Sequence, residues 1–153
     1  MSKRSAGLLI YRWKANQLQV FLVHPGGPFW AKKDLSAWTM PKGEYEVGEQ
    51  PLDAARREFY EETGFAPPQG DYFDLGTVKQ ASGKIVAGWA VEGDCDPADL
   101  KSNFCQREWP PHSGRLIDIP EVDRGEWFDL EEAGERILKS QEPFLEVLSR
   151  KLN

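Results

Sequence analysis

Residues 43–65 read Gly43-Glu44-Tyr45-Glu46-Val47-Gly48-Glu49-Gln50-Pro51-Leu52-Asp53-Ala54-Ala55-Arg56-Arg57-Glu58-Phe59-Tyr60-Glu61-Glu62-Thr63-Gly64-Phe65. Seven acids face two arginines, so the stretch carries a formal charge of −5 within a chain of net charge −6. The acidity is therefore local, and a local excess of carboxylates calls for a cationic partner. Pro51 suits the first turn of a helix, where its missing N–H is not needed. Glu49 and Asp53 lie near the positive end of that helix, and Gly64 is placed to stop it after Thr63. Leu52, Ala55 and Phe59 fall on one apolar face. Glu58, Glu61 and Glu62 stand at i, i+3 and i+4 on an adjacent one. Like charges at such spacings destabilise a helix by about 0.2–0.5 kcal/mol per pair. A hard divalent cation turns that repulsion into coordination, and Mg²⁺ prefers such oxygens. The bland reading of a bare Glu-x-x-Glu-Glu is a solvated acidic face.

The flanking residues change the balance. Gly43, Glu49, Arg57-Glu58-Phe59, Glu61-Glu62 and Gly64-Phe65, in this spacing, resemble the complete signature of the Nudix hydrolases. The resemblance implies an α/β fold, an α/β/α sandwich around a mixed sheet. It implies Mg²⁺-dependent hydrolysis of a nucleoside diphosphate linked to another group, with Mn²⁺ able to substitute. Glu58, Glu61 and Glu62 then match the metal-binding carboxylates, and the carbonyl of Lys42 matches a backbone ligand. Glu61 is the first choice of base and Glu58 the second. Arg57 is expected to pair with Glu49, with a phosphate contact as the alternative. Gly43 and Gly64 serve the backbone. Glu108 is the candidate for a further acid outside the box, against a surface carboxylate as the plain alternative.

Substrate capture needs other residues. Phe29-Trp30-Ala31-Lys32-Lys33 sets aromatic faces beside ammonium groups, which suits a base next to a phosphate chain. Trp30, Lys32, Lys33, Lys42 and Trp109 are thus the candidate substrate contacts, although Trp30 could equally plug the core. Within the family, Trp38-Thr39-Met40-Pro41-Lys42-Gly43 followed by Gly48-Glu49 resembles the diadenosine-tetraphosphate hydrolase branch. The Tyr that branch often carries after the box is missing, since residues 81–83 are Ala-Ser-Gly. The expected substrate is a dinucleoside polyphosphate. Alternatives are housecleaning of nucleoside triphosphates, a non-catalytic nucleotide sensor of the same fold, and a scaffold with an acidic recognition helix.

Composition limits the rest. A chain of 153 residues with 40% hydrophobic and 29% charged residues suits one globular domain spanning 1–153. No apolar run is long enough to span a membrane. The N-terminal apolar run meets Arg12 and Lys14, which favours a strand over a signal peptide. Cys95 and Cys105, with only two histidines, argue against zinc and for reduced thiols in a cytoplasm. The acidic balance disfavours a nucleic-acid polymer as partner. Strands are expected at 5–12, 18–24, 38–40, 74–80, 84–91 and 126–128. Helices are expected at 51–63, 130–140 and 142–152, and 92–111 reads as a long loop.

Overall fold

The computed structural model describes residues 3–152. β1 (Arg4–Lys14) and β2 (Gln17–Pro25) form an antiparallel hairpin. Its turn takes Ala15 and Asn16 to φ 52° and 65°. Two successive positive φ values match the right-handed twist of the flanking strands. β3 (Lys42–Glu44) leads into α1 (Pro51–Thr63), and β4 (Phe73–Lys79) and β5 (Ile85–Glu92) follow. β6 (Phe104–Glu108) and β7 (Leu116–Pro120) pair only with each other. β8 (Val122–Asp129), α2 (Leu130–Arg136) and α3 (Glu142–Leu152) complete the chain.

The main sheet runs β4-β5-β1-β2-β8, with β3 also paired to β1. It is mixed, because β1 and β5 are parallel while its other pairs are antiparallel. Alternation along β1 builds two cores. Ala6, Leu8 and Ile10 pack with Ala54, Ala55 and Phe59 of α1. Leu9 and Tyr11 pack on the opposite face with Ala133, Phe144, Leu145 and Leu148 of α2 and α3. Helices thus cover both faces of the sheet, giving the expected α/β sandwich.

One edge of β1 is shared. Its C-terminal half, Tyr11–Lys14, pairs with β2, and its N-terminal half, Ser5–Gly7, pairs with β3. The fork where β2 leaves and β3 enters opens the space used by the site.

Three expected elements are corrected. Residues 38–40 form only isolated bridges, Thr39 to Val23 and Trp38 to Ile137, and the strand lies at Lys42–Glu44. α2 stops at Arg136 rather than Ser140, because Ile137 turns extended to meet Trp38 and Leu138 N donates to Trp38 O. The segment 92–111 holds a 3-10 turn at Pro97–Asp99 and strand β6.

Candidate active site

α1 begins without a side-chain cap at Gln50, with Pro51 in its first turn. It ends at Gly64, whose φ of 78° is the left-handed conformation that glycine takes without strain, and whose N–H donates to Tyr60 O. The helix buries Ala54, Ala55 and Phe59, as the apolar pattern requires, and it also buries Glu58 and Glu62. The three box glutamates therefore divide. Glu58 and Glu62, one turn apart, face β3, while Glu61 stays partly exposed beside Arg57.

Arg57 organises this face. Its Nε and Nη2 donate to the two carboxylate oxygens of Glu49 at 2.9 and 3.1 Å. Its Nη1 donates to Glu58 at 2.8 Å and Glu61 at 3.1 Å. The loop before the helix is thereby clamped to the helix, as expected for the Arg57–Glu49 pair. These bonds hold the Arg57 guanidinium firmly protonated, Glu49 first among them, and the same bond holds Glu49 below its usual range.

Burial governs the other acids. Desolvation pushes Glu58 up against the pull of Arg57. It pushes Glu62 up to about 8, although Oε2 accepts from the Lys42 N–H at 2.9 Å. The Lys42 amine is lowered, by burial first and then by nearby Lys84. At Gly43 a Cβ would fall 2.0 Å from a Glu58 oxygen, so only glycine lets the carboxylate approach β3. The preceding Thr39–Met40 segment is fixed by buried Gln141, whose Oε1 accepts from the Met40 N–H at 3.1 Å and whose Nε2 donates to Thr39 at 2.8 Å.

A cleft of about 730 Å³ opens over this face. Its acidic part holds Glu44, Glu58, Glu62 and Glu121, and its cations are Lys42, Lys84 and Arg107. Phe29, Trp30 and Trp109 also line it. Of the expected substrate residues, Trp30, Lys42 and Trp109 are in the cleft. Lys32 and Lys33 are exposed and outside its lining, and the Lys33 ammonium rests over the Phe29 ring at 4.6 Å. Lys84 and Arg107 take the cationic positions instead. Lys84 arrives with the β4–β5 turn and Arg107 with the β6–β7 hairpin, and neither carries a local signal in the sequence.

Glu108 also lines the cleft, but its carboxylate closes the hairpin tip. Its oxygens accept from the His112 N–H at 2.7 Å and the Gly114 N–H at 3.2 Å. The acid outside the box whose charge reaches Glu58, Glu61 and Glu62 is Glu121. Burial pushes it up, Arg107 opposes, and Glu61 adds to the rise.

Among the described residues no three acid, histidine or cysteine groups converge on a ready-made metal cage. The Arg57 guanidinium bridges Glu58 and Glu61, and Glu62 turns to the Lys42 amide. The donor set nonetheless suits a hard divalent cation. It consists of carboxylate oxygens, two of them desolvated, and a nearby cation would favour their ionised form.

The cleft thus brings desolvated helix carboxylates together with cations and aromatic rings. A family model described as NUDIX domain matches residues 1–148, and the chain belongs to the Nudix family. It is a hydrolase of phosphoric anhydride bonds, in a family that generally uses divalent metal ions. The RNA pyrophosphohydrolase of Bartonella henselae is 30% identical over 148 residues, taking in 84% of this chain and 77% of that protein. A Caenorhabditis elegans Ap4A hydrolase, solved as a binary complex, has a TM-score of 0.67 and 25% identity, covering 98% of this chain and 97% of that one. The NUDIX domain of Shewanella oneidensis NrtR, crystallised with ADP ribose, shares the fold at a TM-score of 0.67 and 18% identity, over 100% of this chain and 90% of that one.

Proposed function

We propose that the enzyme is a Mg²⁺-dependent pyrophosphohydrolase of a dinucleoside polyphosphate, cleaving a substrate such as diadenosine tetraphosphate to AMP and ATP. The observation that carries this reading is the set of aromatic side chains that line the cleft. Phe29–Trp30 and Trp109 stand on different elements of one cleft, with Lys42, Lys84 and Arg107 also lining it. Two platforms suit two bases joined by a charged chain. The likeness to the Ap4A hydrolase supports it.

Glu58, Glu61 and Glu62, with the Lys42 carbonyl, would hold Mg²⁺, which when bound screens phosphate oxygens and lowers the pKa of a water. Glu61 is assigned as the base. Of Glu58, Glu61 and Glu62 it is the one left partly open to solvent, and Glu121 lies near enough for their charges to interact. Arg57 keeps the helix and loop in register through Glu49. A cytoplasmic location accords with unpaired Cys95 and Cys105 and with the absence, among the described residues, of a helix long and apolar enough to cross a membrane.

A second reading, hydrolysis at the 5′-triphosphate end of RNA, is favoured by the Bartonella relative. Product analysis with Mg²⁺ separates the possibilities. The dinucleoside reading expects AMP with ATP. A nucleoside triphosphate substrate gives monophosphate with pyrophosphate, and RNA gives pyrophosphate with a 5′-monophosphate end. Turnover of triphosphates or RNA alone overturns the first reading, and no metal-dependent turnover at all points to the sensor.

The cleft cations give a finer expectation. Lys84→Ala and Arg107→Ala should each raise KM by roughly tenfold, the scale of a lost charge-assisted contact, with a smaller fall in kcat. The effect should grow with phosphate number, whereas that of Trp30→Ala should not. Lys33→Ala should be near neutral. A Lys33 effect larger than that of Lys84 in steady-state kinetics would relocate the phosphate path.

A further inference from the structure

Ser5 stands near the start of β1 and is 1% exposed, yet it lines the cleft. Its Oγ has no hydrogen-bond partner among the described residues. A hydroxyl buried in this way costs the fold stability, and a ligand that accepts from it recovers the loss. Strand pairing brings charged neighbours beside it. Ser5 pairs with Glu44 of β3, and Gly7 pairs with Lys42. Paired residues project to the same face of a sheet, and alternate residues share that face. Ser5, Lys42 and Glu44 therefore occupy one face, where Gly7 leaves room, since a Cβ there would fall 2.7 Å from the Lys42 Cβ. Gly43 turns the other way, toward Glu58. Glu58 and the Ser5 corner thus lie on opposite faces of β3.

Lys84 joins this corner from the β4–β5 turn. Its Nζ lies 3.6 Å from Glu44 Oε2, and Lys3 Nζ lies 3.9 Å from Glu44 Oε1. The charges of Lys84 and Glu44 both reach the Lys42 ammonium. The Glu44 side chain is half exposed, and neither of its contacts is short enough for a hydrogen bond. Ion pairs of this kind are weak and readily exchanged. The corner therefore holds one loosely kept carboxylate among ammonium groups, beside a hydroxyl donor that bonds nothing.

We propose that Ser5, Lys42 and Lys84 form a phosphate subsite of the cleft, and that Glu44 occupies Lys84 in the free enzyme in place of the phosphate. The occupant is a phosphate of the substrate chain away from the scissile bond, and this part rests on the dinucleoside polyphosphate reading. Binding moves Glu44 off Lys84, opens the Ser5 hydroxyl to the incoming group and exchanges a carboxylate for phosphate oxygens. Glu44 is then a determinant of specificity. A short chain that does not reach Lys84 leaves the ion pair intact, whereas a longer chain has to displace it.

The test uses the full chain, with inorganic tripolyphosphate as the probe in calorimetry without added metal, and dinucleoside polyphosphates of increasing phosphate number in Mg²⁺-dependent kinetics. Ser5→Ala should keep or raise the thermal midpoint, because it removes a hydroxyl that bonds nothing in the free protein. It should nonetheless weaken tripolyphosphate binding roughly tenfold, the scale of a hydrogen bond to a charged group. KM should rise in step for the longer chains while kcat holds. Glu44→Gln and Glu44→Asp should each tighten tripolyphosphate binding about threefold, the scale of an exposed ion pair. The aspartate keeps the charge but withdraws it from Lys84, so it separates the local contact from the general field of the cleft. Ser5→Ala that leaves the probe unaffected, or Glu44→Asp that binds it like wild type, overturns the proposal. If the probe responds as expected and dinucleoside polyphosphates are not turned over, the substrate reading falls and the subsite stands.

Discussion

Glu58→Gln and Glu61→Gln should each lower kcat by at least about 100-fold in saturating Mg²⁺, the scale of a lost metal ligand or base. The two reach this result differently. Glu58 is buried against Gly43, and its ionised form is already disfavoured there. The glutamine keeps the shape and relieves that penalty, so the thermal midpoint should hold or rise. Glu61 is partly exposed and shares Arg57 with Glu58. Its glutamine loses the charge that balances Arg57, and stability should change little, as for most half-exposed ion pairs. Steady-state kinetics with a melting curve on each variant checks both halves. Near wild-type turnover in either variant would remove that residue from the site.

The second large effect concerns Glu62. Its folded carboxyl sits at about 8 against an ordinary 4.5 because burial disfavours the charge. The folded state thus binds more protons than the unfolded chain between those values. Its contribution to stability is full below the lower value and is lost as pH rises through the upper one. Metal-free protein should melt several degrees lower at about pH 8 than at about pH 6. Mg²⁺ should reverse this. A cation bound only to the native state stabilises by mass action, and its ligands must be deprotonated first. The Mg²⁺-induced rise in Tm should therefore be larger at the higher pH. Glu62→Gln should flatten the pH dependence and abolish most of the Mg²⁺ shift. Melting curves with the same Mg²⁺ response at both pH values would refute the burial argument.

The helix of the box was legible because its signals are local. Pro51, the Ala55–Phe59 spacing and Gly64 act within a few residues of one another. The Arg57–Glu49 pair was readable for the same reason. What the pattern hid was the division among the glutamates, since burial of Glu58 and Glu62 depends on how closely β3 approaches α1. β3 itself had no strand signal, because Lys42-Gly43-Glu44 lacks alternating apolar residues and is recruited by the free half of the β1 edge. Trp38-Thr39-Met40 looked like a strand, yet Pro41 cannot donate and Trp38 N donates to Arg136 O instead. Lys84, Arg107 and Glu121 enter the cleft from three separated segments, and no spacing rule connects them to the box. Glu121 in Ile119-Pro120-Glu121-Val122 is a single acid between apolar neighbours, with nothing to set it apart from a surface carboxylate.

The hairpin of β6 and β7 supplies cleft residues but no core. No residue between Val91 and Val122 belongs to the fully buried apolar set. In the Phe29–Lys33 loop Trp30 packs against the core, though it is only partly buried. Much of the cleft lining and most of the buried core therefore lie in different segments of the chain. Exchanges within the β6–β7 hairpin reshape the cleft lining around Arg107 and Trp109 while leaving the fully buried core intact.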